Sequence, residues 1–255
     1  PPRPLRRQRQ MCIRDRGEVV ASVPGPDQHH VVAAFGYRDF VYKPDSDFDW
    51  RGEHLRIGYR NTVWRGDPET EKAASIELGA SYALGRRGYR GAAFANSCAP
   101  GEPIEPQCFM PTDSARADLN HTVSVSAAYT GERIYSARYE LQANDSNSFG
   151  QSLIRQRLEL SLTSELFGSG VFATAKVAVL FNHFLDPLLL ARDVSAQTFD
   201  SIDDENRNSA SVHASRALLG RWSAEARYAL FTNEFATQER TFRRQTIYAG
   251  LIYKL

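Results

Sequence analysis

Two cysteines that lie close together in the chain offer the clearest local chemistry. Cys98 and Cys108 flank a stretch with one glycine and three prolines, which is typical of a loop. Two cysteines in a short loop predict a disulfide formed in an oxidising compartment, which would stabilise the fold by about 2–3 kcal/mol. Free thiols are the alternative. A zinc site would need two further ligands, and the nearest histidine, His121, is predicted to lie on the next strand.

Histidines near hydroxyl or carboxyl groups are the candidates for catalysis. His213 lies between Ser211 and Ser215, and a pairing of His54 with Glu77 would also suggest a hydrolytic group. A single histidine among serines is more often a polar filler. The sequence has no glycine-rich phosphate loop, no Cys-x-x-Cys pair and no His-Glu-x-x-His motif. We therefore expect no enzyme activity, no catalytic or metal-binding residue and no cofactor.

The first sixteen residues differ in composition from the rest of the chain. Their segment "RRQRQMCIRDR", residues 6–16, could be a basic arm or a disordered terminus, but it also matches at every position a translated transposase sequencing adapter. We interpret residues 1–16 as a disordered artefact and expect the natural N-terminus to be missing. Removing their six arginines and one aspartate leaves 25 basic and 29 acidic residues, so no nucleic-acid partner is expected.

From Val31 onward the chain alternates apolar and polar residues with a period of two, as strands with two different faces do. In "HLRIGYRNTVW", residues 54–64, Val63 is the last member of the apolar set. The segment "EVVASV" is interpreted as the end of an earlier strand. The segment 171–184 is too short for a transmembrane helix and carries Lys176 at its centre. The alternation predicts ten complete strands, near residues 31–42, 53–64, 73–86, 119–130, 133–144, 152–166, 171–184, 208–218, 221–232 and 242–255.

The connections between these strands alternate between longer and shorter ones. Outer-membrane barrels have this arrangement, with short periplasmic turns and longer extracellular loops, and their strands turn an apolar face to lipid and a polar face to water. The sequence therefore predicts one all-β domain, residues 17–255, that is a transmembrane antiparallel up-and-down β-barrel truncated at its N-terminus. Ten complete strands are visible, and we expect twelve or more in the intact protein. A soluble barrel that binds lipid is an alternative to the transmembrane barrel.

Aromatic residues fall near the short turns. Tyr129, Tyr135, Trp222 and Tyr253 are in the apolar phase beside short turns or the C-terminus, and Phe172 lies close by. Amphipathic rings are stable where lipid headgroups meet hydrocarbon. We expect these five residues to form an aromatic girdle.

Charged residues in the opposite phase are predicted to line the lumen, and nine basic residues outnumber four acidic ones. A basic lumen would attract anions. Alternatively, Arg–Glu ladders between neighbouring strands would brace a closed lumen. Both interpretations stay open. The predicted lumen-lining residues are Arg56, Arg60, Glu77, Arg138, Glu140, Arg157, Glu159, Lys176, Glu225, Arg227 and Arg244, together with Arg155 and Lys254.

The C-terminal segment "RRQTIYAGLIYKL" resembles the last strand of bacterial outer-membrane barrels. In that family a Gly-x-x-hydrophobic-x-hydrophobic signal is read by the barrel-assembly machinery, and Gly250, Tyr253 and Leu255 occupy the matching positions. Ala249 and the final leucine depart from the commonest form of the signal. Residues 226–255 also resemble the terminal hairpin of barrels in tetratricopeptide-linked proteins of the surface-lipoprotein-assembly-modifier type.

These resemblances imply a location in the outer membrane of a Gram-negative bacterium, with outer-membrane lipid, lipopolysaccharide and the barrel-assembly machinery as partners. They imply transport, secretion or surface assembly, through a porin-like pore or a translocation barrel. The alternative is a structural or adhesive surface barrel that binds a partner through extracellular loops at 87–118 and 185–207. The acidic cluster Asp200, Asp203, Asp204 and Glu205 lacks calcium-loop spacing, and we expect it to meet cations that bridge lipopolysaccharide.

Overall fold

The computed structural model describes residues 12–24, 29–42, 46–66, 74–99, 108–185, 208–218, 220–233 and 242–253. Within these ranges the chain forms eleven β-strands and a short 3-10 turn at Ser46–Phe48. Strands β2 to β11 correspond to the ten predicted strands, and β1 contains the predicted partial one. The strands are β1 (Cys12–Pro24), β2 (His29–Tyr42), β3 (Trp50–Arg65), β4 (Ser75–Asn96), β5 (Phe109–Thr130), β6 (Arg133–Ser146), β7 (Leu153–Glu165), β8 (Val171–Phe184), β9 (Asn208–Ala217), β10 (Trp222–Asn233) and β11 (Phe242–Tyr253).

All eleven strands belong to one antiparallel sheet, in which each strand pairs with its neighbours in the sequence. The connections from β1 to β2, β3 to β4, β5 to β6, β7 to β8 and β9 to β10 therefore lie at one end of the sheet, which we name the short-turn end. The other connections lie at the opposite, long-loop end. The predicted alternation of connection lengths has one exception among these connections. At the short-turn end, the β3–β4 connection (residues 66–74) is longer than the β2–β3 connection (residues 43–49) at the long-loop end. No helix in the described ranges is long and apolar enough to cross a lipid bilayer.

The register places apolar residues opposite apolar residues across the sheet. Val125 of β5 lies opposite Ala80 and Tyr139, and Leu160 of β7 lies opposite Ala137 and Val177. Because side chains alternate between the two sides of a strand, the sheet has one apolar face, which carries these residues, and one polar face.

Burial is distributed between the two faces in the opposite way to a soluble protein. On the apolar face, Val125 and Leu160 are 49% and 47% exposed. On the polar face, Trp50, Ala178 and even Arg155 are buried. Side chains crowd together on the concave side of a curved sheet and spread apart on its convex side. We infer that the polar face is the concave one.

Three strand ends differ from the sequence predictions. Residues 87–118 were expected to be a loop, but β4 continues to Asn96 and β5 begins at Phe109, because backbone pairing persists through irregularities between Gly88 and Phe94. The expectation that residues 1–16 are disordered also needs correction for residues 12–16, which form the first part of β1. β1 pairs with β2 from Pro24 back to Cys12. This pairing uses backbone hydrogen bonds, so it does not require an alternating side-chain pattern.

Two residues lie on a different face from the one predicted. A β-bulge between Thr62 and Trp64 places Trp64, in place of Val63, opposite the apolar-face residue Ile76. Phe172 lies opposite Glu165 and Ser215, in the phase of the polar face, and so does not belong with the predicted girdle residues.

Candidate functional site: the polar face

The predicted lumen-lining residues share one face of the sheet. Ladder pairs such as Arg138 with Glu159, and Glu140 with Arg157, fix this face. Lys254 lies outside the described residues, and Arg155 lies on the same face. The eleven residues that the register places together are Arg56, Arg60, Glu77, Arg138, Glu140, Arg157, Glu159, Lys176, Glu225, Arg227 and Arg244.

Five of these residues form an ion-pair cluster in the middle of the face, on β6, β7 and β8. Arg138 Nη2 donates to Glu140 Oε2 at 3.0 Å. Lys176 Nζ lies 3.2 Å from Glu159 Oε2, and Arg157 contacts the other oxygen of the same carboxylate. The arginine and lysine side chains are about half exposed, so each pair contributes no more than about 1 kcal/mol. With three basic and two acidic groups, the ion-pair cluster keeps a net positive charge.

A second polar network lies closer to the long-loop end, and Asp118 and Asn120 within it are buried. Asp118 accepts two hydrogen bonds from Arg116, at 3.0 and 2.7 Å, and one from Ser146 Oγ at 2.6 Å. Gln142 Nε2 donates to Asn120 Oδ1 at 2.7 Å. Sequence reasoning did not single out these residues, because their burial depends on the curvature of the sheet. The available signal was a run of hydrogen-bonding side chains in the polar phase near the predicted loops.

Aromatic rings also pack on the polar face at this end. Trp50 stacks on Phe40 with the ring centroids 5.9 Å apart, and the Arg87 guanidinium lies 5.0 Å from the Trp50 ring centroid. Cation–π contacts of this kind contribute about 0.5–2 kcal/mol, more when they are buried. The sequence pattern gave no sign of Phe40 and Trp50 packing, because both lie at strand ends next to a loop.

A cavity of about 290 Å³ separates this aromatic group from the buried polar network. We name it the Trp50 cavity. Its polar-face lining includes Arg38, Trp50, Gly52, Arg87, Asn120 and Gln142.

Beyond the last pairs with β3 and β6, strands β4 and β5 continue as a two-stranded arm at the long-loop end, residues 90–96 and 109–117. Cys98 and Cys108 form a disulfide at its tip, with the Cα atoms 5.1 Å apart. The β6–β7 connection packs against the arm, where Phe149 N donates to Phe94 O at 2.8 Å. The arm is therefore held both at its tip and along its side.

Aromatic pairs lie on the apolar face at the short-turn end. The rings of Tyr129 and Tyr135 are 6.1 Å apart, and those of Trp222 and Tyr253 are 5.0 Å apart. Trp64, which the bulge brings to this face, is a further aromatic residue here. Of the predicted assembly signal, Gly250 lies opposite Glu225 in the ladder, whereas Leu255 lies outside the described residues.

Of the histidines considered for catalysis, His54 lies away from Glu77, and His213 lies beside a carboxylate of the next strand. His54 lies opposite Gly36 and Gly85, eight residues along β4 from Glu77. His213 Nε2 lies 3.3 Å from Glu225 Oε2, and Arg227 is its ladder partner. No group of three or more His, Cys, Asp or Glu residues in the described ranges is arranged to hold a metal ion. The loop 186–207, with its acidic cluster, lies outside the described residues.

No protein-family model, curated protein or solved structure matches this chain.

Proposed function

We propose that this chain is an integral β-barrel of the outer membrane of a Gram-negative bacterium, and that it acts in transport, secretion or surface assembly. The observation that carries the proposal is the inverted distribution of burial: apolar side chains are exposed on one face of an eleven-stranded sheet, and polar side chains are buried on the other. Lipid outside and water inside are the surroundings that such a sheet requires.

The exposed apolar face would be unstable in water. Ile57, Val125, Leu160, Val212 and Ile247 lie on five different strands, and each is between 47% and 80% exposed. Removing a side chain of this kind from water contributes about 1.5–3 kcal/mol. Lipid hydrocarbon would cover this surface without a second protein layer.

The stagger of the strands favours closure into a barrel, which requires the strands to tilt. The ladder row through Ala127, Leu160, Leu230 and Gln245 crosses the sheet obliquely. On this row the distance to the strand end at the short-turn end rises from three residues in β5 to eight in β11. This change of nearly one residue per strand corresponds to a tilt of roughly 30°, taking ~3.3 Å per residue and ~4.8 Å between strands.

The aromatic pairs and the connection lengths suggest the orientation. Rings on the apolar face next to the shortest turns fit a membrane interface, and short turns are periplasmic in outer-membrane barrels. The long-loop end, with the arm and the Trp50 cavity, would then face the outside of the cell. Outer-membrane lipid, lipopolysaccharide and the barrel-assembly machinery are the partners that follow from this placement.

The proposal is tested by refolding the chain into detergent micelles and then into lipid vesicles and planar bilayers. We expect β-sheet circular dichroism, heat-dependent migration in gel electrophoresis and stepwise conductance. A chain that folds as a monomer in buffer without detergent would overturn the membrane assignment. Insertion without conductance would replace the pore by a closed, braced barrel.

A specific observation also favours the structural or adhesive alternative. The arm of residues 90–96 and 109–117 projects beyond its neighbouring strands and carries the disulfide, so it presents a stiff surface at the long-loop end. Deleting residues 90–117 separates the two functions. Loss of binding to a surface partner with unchanged conductance supports adhesion, and the reverse result supports transport.

A further inference from the structure

The Trp50 cavity is lined by two buried hydrogen-bond donors that have no acceptor among the described residues. Trp50 is 3% exposed and Asn120 is 8% exposed, and within the described ranges neither Trp50 Nε1 nor Asn120 Nδ2 has a hydrogen-bond partner. Leaving a buried donor unpaired costs about 1–3 kcal/mol. Both groups line the same cavity, so one molecule with acceptor atoms could satisfy both.

The register explains why space is left at this position. Gly52 lies between Arg38 and Arg87 on one ladder row, and Gly85 lies between His54 and Asn120 on the adjacent row. At Gly52 an added Cβ would lie 2.7 Å from Arg86 O, so the open space is at Gly85. At Gly85 an added Cβ would meet only ordinary contacts, at 3.6 Å or more, so the backbone there does not require glycine for steric reasons.

The charges around the cavity favour an anion. Arg38 and Arg87 are the cationic residues of the polar-face lining, and Glu140 is the carboxylate. Glu140 already accepts a hydrogen bond from Arg138 at 3.0 Å, which offsets its negative charge. His54 is the remaining titratable group of the polar-face lining, and Glu53 and Arg86, which pair with each other in the ladder, also line the cavity. The lining therefore offers donors and positive charge, and a ligand must supply acceptors and negative charge.

We propose that the Trp50 cavity binds an oxyanion, a carboxylate or phosphate group of a small solute, through Trp50 Nε1 and Asn120 Nδ2. Arg38 and Arg87 supply the attracting charge. This inference deepens the proposed function by naming the chemical class of the solute, and it rests on that function for the enclosure of the polar face.

Binding is measured on the full chain in detergent micelles by isothermal titration calorimetry, with glucuronate, glucose and inorganic phosphate as probes. Glucuronate and glucose differ by a carboxylate, so they separate recognition of charge from recognition of a sugar. We expect glucuronate to bind at least tenfold more tightly than glucose. Phosphate binding with no glucuronate binding would identify a phosphate site, and the reverse would identify a carboxylate site; either supports the proposal. Measurable binding of glucuronate and glucose with equal affinity would overturn it.

Asn120→Asp and Trp50→Phe test the two donors separately. The Asn120→Asp variant keeps the acceptor for Gln142 but replaces the unpaired donor by a negative oxygen, so we expect binding to weaken at least tenfold. Trp50→Phe keeps an aromatic ring and removes the N–H, with an expected loss of about fivefold. Asn182→Asp is the matched control. Asn182 lies on β8, outside the cavity, and its side chain accepts a hydrogen bond from Arg155 Nε at 2.8 Å.

Circular dichroism and heat-dependent gel migration establish that each variant is folded before its affinity is compared. If anions bind equally well to Asn120→Asp, Trp50→Phe and Asn182→Asp, the site lies elsewhere and the proposal is wrong. If the chain conducts ions but binds neither anion, this inference fails while the proposed function stands. Failure of the chain to enter bilayers would refute the proposed function instead.

Discussion

Leu160 lies near the middle of β7 on the apolar face, where it is 47% exposed and faces Ala137 and Val177 in the ladder. Replacing it by arginine tests whether this face contacts lipid. In water, an arginine at this half-exposed position would change the free energy of unfolding little. In a bilayer, the charge would enter hydrocarbon.

The depth of Leu160 sets the expected magnitude. It lies five residues from Glu165, the end of β7 at the short-turn end. With ~3.3 Å per residue and a tilt of roughly 30°, this is about 14 Å along the membrane normal, near the middle of an apolar band about 25 Å tall. A lipid-facing arginine at the midplane of a barrel lowers the free energy of unfolding by about 2–4 kcal/mol.

Ser136→Arg is the matched control. Ser136 is next to Ala137 but points to the polar face, where its Oγ lies 2.7 Å from Ser161 Oγ. An arginine there enters a polar environment and loses one hydrogen bond, so we expect the free energy of unfolding to fall by no more than about 1 kcal/mol.

Both variants are refolded into phosphatidylcholine vesicles and unfolded with guanidinium chloride, with tryptophan emission as the signal. Leu160→Arg should shift the transition to lower denaturant by two to four times as much as Ser136→Arg. Equal shifts, or a neutral Leu160→Arg, would refute the assignment of the apolar face to lipid. A larger loss in Ser136→Arg would show that the two faces have been exchanged.

Three further predictions concern other parts of the sheet. Replacing Cys98 and Cys108 by serine should destabilise the arm by about 2–3 kcal/mol. Proteolysis at the long-loop end should become faster, while the unfolding of the chain in vesicles should not change. An unchanged rate of proteolysis would show that the disulfide does not stabilise the arm. Glu159→Gln should raise the net charge of the ion-pair cluster and shift the zero-current potential towards anion selectivity, whereas an unchanged potential would place the cluster outside the conduction path. Trp222→Ala should remove the ring contact with Tyr253 and lower the free energy of unfolding in vesicles by at least about 1 kcal/mol, whereas no change would argue against an interfacial role.

The alternation of residue types predicted the ten strands and the face on which their charged residues lie, but not the extension of β4 and β5 into residues 87–118. In the proposed membrane barrel, lipid and water would act on each residue separately, so the side that Leu160 or Glu159 faces would be encoded locally. The ten predicted strands are present, and the charged residues assigned to one side share the polar face. Where a local irregularity shifts the register, as at the bulge beside Trp64, the alternation failed by one residue.

The sequence could not predict the Trp50 cavity, because it depends on residues far apart in the chain. Trp50 begins β3 directly after an acidic, proline-containing stretch that was assigned to a loop. Asn120 lies seventy residues later and two strands away, and Arg38 precedes both. Their proximity follows from the register of three strand pairs and from the curvature of the sheet. Neither quantity is encoded within a short window of sequence.

Bracing and anion attraction, the two interpretations of the charged face, are compatible because they apply to adjacent regions. Ion pairs lie within β6 and between β7 and β8 in the middle of the sheet, and the donor-rich Trp50 cavity lies closer to the long-loop end. Glu140 belongs to both regions: it accepts from Arg138 in the ion-pair cluster and also lines the cavity. An anion entering from the long-loop end would meet the cavity first and the positively charged ion-pair cluster next. The residues that brace the sheet would therefore also attract the anion after it has passed the Trp50 cavity.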